Sequence, residues 1–158
     1  MKILIVYYSL DGNCAFTAEE LRKALNASVL RLETLEEKKR TGLAKYFWGG
    51  RQILTHAKPP LKPYAVDLDA YELIIIGSPV WAGAPAPALG SFLDQTKIQD
   101  KKIALFCCHR GPKHCLEKMK RLLPGNTVVG ELDLVDPATR NRPRAAERIQ
   151  EWARNLNA

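Results

Sequence analysis

Ile3-Leu-Ile-Val-Tyr-Tyr8, followed at once by Ser9-Leu-Asp-Gly-Asn-Cys14, decides the fold of this chain. Six consecutive apolar residues, rich in β-branched and aromatic types, read as a strand buried on both faces. The next six are small and polar, as a tight turn requires, and residues 15–25 behind them carry helical spacing. A strand–turn–helix of this kind aims unpaired backbone N–H groups at one point beyond the strand's carboxyl end. The helix macrodipole favours an anion there.

The same logic runs outward along the chain. Residues 28–32, 73–76, 102–108 and 128–134 read as further strands, and residues 86–95, 115–123 and 144–155 as helices. Residues 41–56 have helical spacing, and the prolines of 58–63 impose an extended, irregular path. Strands apolar on both faces, alternating with helices, predict one three-layer α/β/α domain spanning 1–158, with a five-stranded parallel sheet.

Composition narrows the function. No apolar run reaches the roughly 18 residues of a membrane helix, and the N-terminal run is too short and strand-like for a secretory signal, so a cytoplasmic protein with no membrane partner is expected. The four cysteines Cys14, Cys107, Cys108 and Cys115 show no C-x-x-C spacing and no disulfide framework. His109 and His114 lack carboxylates at ligand spacing, so no metal site is predicted, and no nucleophile–base arrangement is visible. The net charge of +7 is concentrated in residues 97–158, which hold 13 basic and 7 acidic side chains. That face could meet an acidic protein or a nucleotide. Its basic residues are not massed with aromatics, so no nucleic-acid partner is expected.

In an open parallel sheet, ligands bind beyond the carboxyl ends of the strands. Three unusual loops fall there: 9–14, 77–85 and 107–114. The first is neither a Walker loop nor a dinucleotide turn, since Gly12 is its only glycine. The second carries Trp81 between small residues and reads as a stacking surface. Tyr46-Phe-Trp-Gly-Gly50 reads as core packing of an amphipathic helix, with a partner surface or a ligand-side role as the alternative.

Together these residues resemble the flavodoxin family, whose phosphate loop reads roughly Ser/Thr-x-Thr-Gly-Asn-Thr. Tyr71-Glu-Leu-Ile-Ile-Ile-Gly-Ser-Pro-Val-Trp-Ala-Gly83 looks like that family's third strand and flavin-flanking loop. The resemblance covers essentially the whole chain and looks like the short type. It implies strand order 2-1-3-4-5 and FMN as cofactor. Ser9, Gly12 and Asn13 match the phosphate loop. Asp11 and Cys14 depart from it, Asp11 expected to bond turn N–H groups and Cys14 to be a small filler or a thiol of lowered pKa. Trp81 would pack on the flavin ring, with Pro79, Val80, Ala82 and Gly83 supplying backbone contacts. Cys108, His109, Arg110 and Gly111 stand where the family often has an aromatic on the outer face. Arg110 and Lys113 would stabilise the reduced, anionic flavin.

The resemblance implies an electron-transfer protein, a monomer or weak dimer, shuttling electrons between a reductase and an acceptor protein. The alternative is an NAD(P)H-dependent FMN oxidoreductase acting on a quinone or another small acceptor.

Overall fold

The computed structural model describes residues 1–35, 44, 48, 51, 52, 54–111 and 114–157. Among the described residues there are six strands: β1 (Ile3–Tyr8), β2 (Ser28–Leu32), β3 (Leu73–Trp81), β4 (Ala84–Pro85), β5 (Lys102–His109) and β6 (Thr127–Val135). The helices are α1 (Asn13–Leu25), α2 (Pro87–Gln95), α3 (Cys115–Arg121) and α4 (Arg142–Asn157). Ala44, Trp48, Arg51, Gln52 and Leu54 are also helical, as the spacing of that segment predicts.

The strand order is β2-β1-β3-β5-β6, all parallel, and the two-residue β4 folds back antiparallel on β3. With β4 set aside, this is the expected five-stranded order 2-1-3-4-5. Alternate residues of each central strand enter opposite cores, as strand geometry dictates. Leu4, Val6, Ile74, Ile76, Ile103 and Leu105 pack under α2 and α3. Ile5, Ile75, Ala104 and Phe106 pack under α1 and α4. Two apolar faces on one sheet therefore require a helical layer on each side.

One boundary differs in a way that matters. The third strand does not stop at Ile76 but runs on through Gly77-Ser-Pro-Val to Trp81. Its extension is held by tertiary register, with Ser78 opposite Cys107 and Pro79 opposite Cys108. The buried Ser78 hydroxyl also accepts the Ala86 N–H at 2.8 Å, closing the turn that carries Trp81. Among the described residues, no helix is long and apolar enough to cross a membrane.

Candidate functional site

The carboxyl ends of β1, β3, β5 and β6 lie along one edge of the sheet, and the loops leaving them carry unusual backbone. Gly12 and Gly83 adopt φ of +93° and +72°, and Ala82, His114, Asp136 and Asn141 adopt positive φ without being glycine. Such conformations cost energy and concentrate where a site over-determines them.

In the first loop, Gly12 is the N-cap of α1 and makes no side-chain cap bond. Ser9, buried, accepts the Ala15 N–H on its hydroxyl at 3.2 Å. Asp11 accepts the Asn13 N–H at 3.3 Å, the turn bond expected of it. The N–H groups of Gly12 and Cys14 take no hydrogen-bond partner among the described residues. A side chain at Gly12 would find nothing within 4 Å, so the space over these donors is open. An uncapped helix N-terminus with free N–H groups and open space is chemically suited to a phosphate.

Two side chains of this loop turn away from that space. Asn13 is buried and spans to the β6–α4 loop: Nδ2 donates to Asp136 Oδ1 at 3.4 Å, and Oδ1 accepts the Ala138 N–H at 3.0 Å. Its amide therefore braces the site instead of facing a ligand. Cys14 is fully buried, and burial together with the neighbouring Cys108 thiol pushes its thiol pKa up. The filler reading of Cys14 is the one its surroundings match; the helix N-terminus does not lower its pKa.

In the second loop, Trp81 is half-buried. Tyr8 meets it edge-on (centroids 5.7 Å apart, 84° between planes), and Trp48 meets it at 5.4 Å and 61°. Pro79 and Val80 belong to the strand itself, while Ala82 and Gly83 form the turn beyond it. Trp48 thus comes to the site from the aromatic segment read as core packing; Tyr46, Phe47, Gly49 and Gly50 lie outside the described residues.

In the third loop, Cys108 is buried against α1, where its sulfur lies 3.5 Å from the Thr17 hydroxyl. His109 is also buried, with Nε2 2.8 and 2.9 Å from the two oxygens of Asp133. A carboxylate does support this histidine, contrary to the reading from spacing, because β6 brings it from 24 residues away. Asp133 also accepts the Cys107 thiol at 3.1 Å, and the Cys115 thiol, burial and this carboxylate raise the Cys107 pKa. His109 Nδ1 is buried with no partner among the described residues. Arg110 donates through Nε to Asp136 at 2.8 Å, so its charge is met by a buried carboxylate before it can act on a ligand. Gly111 is exposed, and Lys113 lies outside the described residues.

Loops one and two therefore supply donors and an aromatic wall, on adjacent strands in register at Tyr7 and Gly77. Asp133, Asp136 and Tyr8 leave no site signal in the sequence beyond the lone carboxylate between Leu132 and Leu134, whereas Trp48 belongs to the segment for which a ligand-side role is the alternative reading.

A crystal structure of a flavoprotein from Lactobacillus acidophilus NCFM, in complex with FMN, is 25% identical to this chain. The match covers 96% of this chain and 98% of that one, with a TM-score of 0.74. A protein from Bacteroides eggerthii shares the fold at 18% identity, with coverage of 99% and 98% and a TM-score of 0.78. Oxidised flavodoxin 2 from Bacillus cereus does so at 20% identity, with coverage of 99% and 98% and a TM-score of 0.63. No curated protein sequence matches. A family model described as NADPH-dependent FMN reductase matches residues 1–139. Over that span, which holds loops 9–14, 77–85 and 107–114, the chain belongs to the NADPH-dependent FMN reductase family.

Proposed function

We propose that this protein binds FMN at the carboxyl edge of the sheet and uses it to oxidise NAD(P)H, passing electrons to a small acceptor. The observation that carries this reading is the one-sided aromatic wall. Trp81 borders the site on the β3 side, whereas the described part of the third loop offers a buried histidine and a guanidinium instead of a second large aromatic side chain. Among the described residues the site is walled on one face, which would leave the other to a nicotinamide, and family membership points the same way. An electron shuttle between a reductase and an acceptor protein uses the same cofactor but has no need of that open face.

When bound, FMN supplies the redox chemistry, and the protein supplies orientation and electrostatics. The Gly12 and Cys14 N–H groups would hold the phosphate at the N-terminus of α1. Asp11 is kept off it by its own turn bond. Trp81, braced by Tyr8 and Trp48, would lie along the ring system. His109 Nε2 lies against the Asp133 carboxylate, which fixes the ring, and its Nδ1 is buried without a partner among the described residues. Asp136 ties the third loop to the first, since it accepts from both Arg110 and Asn13.

The experiment is turnover by the FMN-loaded protein with NADPH and NADH against a quinone and free FMN. Steady turnover with either nucleotide supports the reductase. Flavin that only an added reductase protein can reduce would leave the shuttle.

A further inference from the structure

The cations around the candidate site are unevenly matched by acids. The resemblance to flavodoxins puts Arg110 and Lys113 beside the ring. Arg110 is held by the buried Asp136, however, and Lys113 lies outside the described residues. A different cation reaches the aromatic wall. Lys118, in α3, carries its Nζ to 3.8 Å from the point a Cβ would occupy at Gly83. Gly83, with φ of +72°, and Ala82 form the turn that leaves Trp81.

Lys118 and Trp81 stand on the same side of the sheet. Cys115 and Met119 turn α3 into the core that holds Tyr8, and Trp81 packs against that core. Lys118, next to Met119, is exposed and has no ion-pair partner among the described residues. The acids that could have met it are taken, since Glu117 and Glu131 both pair with Lys120. Residues 77–85 contain no charged side chain. The Lys118 ammonium therefore stands over an uncharged turn with no carboxylate to offset it.

Such a charge acts on whatever negative charge develops beside Trp81. A flavin ring that takes up two electrons and one proton becomes one charge more negative. A nearby cation stabilises that form relative to the oxidised ring, which is neutral. Because Lys118 is exposed, water and salt keep the effect moderate. We propose that Lys118, in place of Arg110, is the cation that stabilises reduced FMN in this protein and raises its potential. This assignment rests on the reading that FMN lies along Trp81, and it is independent of which molecule reduces the flavin.

The test measures the dissociation constant of oxidised FMN and the two-electron midpoint potential of bound FMN against reference dyes, with dithionite as reductant. It compares the native chain with Lys118→Met, Lys118→Arg and Lys120→Met, at low and high salt. We expect Lys118→Met to hold oxidised FMN as the native chain does. It should hold reduced FMN about three- to ten-fold less tightly, a fall in potential of about 15 to 30 mV for two electrons. Lys118→Arg should restore the native potential, and Lys120→Met, whose charge is already met by two carboxylates, should leave it unchanged. The gap between Lys118→Met and the native chain should narrow as salt is added. Equal potentials in those two proteins overturn the assignment, as does a fall that Lys118→Arg shares, which would mark packing instead of charge. If the potential shifts as expected yet NADPH and NADH leave the flavin oxidised, the role of Lys118 stands and the reductase reading falls. A chain that takes up no FMN overturns the site reading and this assignment together.

Discussion

Asn13 and Asp136, 123 residues apart in sequence, are joined by a buried hydrogen bond at 3.4 Å between the first turn of α1 and the loop after β6. The same Asn13 side chain accepts the Ala138 N–H at 3.0 Å. Loop 9–14 and the loop carrying Arg110's partner are therefore one mechanical unit. Asn13→Ala leaves the Ala138 N–H without its acceptor and removes one of the two donors to Asp136 Oδ1, which should cost about 1–3 kcal/mol of stability in urea unfolding. FMN affinity should fall with it. An unchanged urea midpoint would mean that this bond braces nothing.

In the proposed site Trp81 is the aromatic wall. Trp81→Ala should weaken FMN binding by about ten-fold, close to 1.4 kcal/mol, in a fluorescence titration, while Trp81→Phe should keep most of the affinity. Equal affinity in all three proteins would place the flavin elsewhere.

Gly77 and Phe106 lie opposite each other on β3 and β5, and a Cβ at Gly77 would fall 1.9 Å from the Phe106 ring. Gly77→Ala should therefore destabilise by about 1–3 kcal/mol through overpacking. Pairing it with Phe106→Leu should recover part of the loss, so the two effects will not add. Strict additivity in thermal unfolding would show that the ring is not what the new methyl meets.

The buried thiols give the stability a pH signature. Folding raises the pKa of Cys14 through burial and that of Cys107 through Cys115, burial and Asp133. A thiol held protonated by the fold stabilises fully below its unfolded pKa, about 8.5, and that stability is lost as pH rises above it. Between pH 7 and 10 stability should fall, with a limiting slope of about 1.4 kcal/mol per pH unit for each such thiol. Cys14→Ala should flatten the slope. A chromogenic disulfide reagent should label the native protein slowly and the unfolded protein at all four cysteines. Fast native labelling would contradict the burial argument.

The doubly apolar runs made the central strands and the layer order legible, because burial on both faces leaves a local imprint in sequence. The path of β3 beyond Ile76 left none. Gly77-Ser-Pro-Val has weak strand character and is extended only because β5 pairs with it. Site residues divide in the same way. Gly12, Asp11 and Trp81 announce themselves through turn chemistry and the company they keep. Asp133, Asp136 and the Asn13 clamp depend on β6 arriving beside β5, a contact no local spacing encodes.

The most direct measurement of the central claim is the visible flavin absorbance of the FMN-loaded protein after anaerobic addition of NADPH. The account predicts prompt bleaching by NADPH alone, with the absorbance returning when a quinone is added. Bound flavin that keeps its oxidised spectrum in excess NADPH, and bleaches only when a reductase protein is supplied, would contradict it.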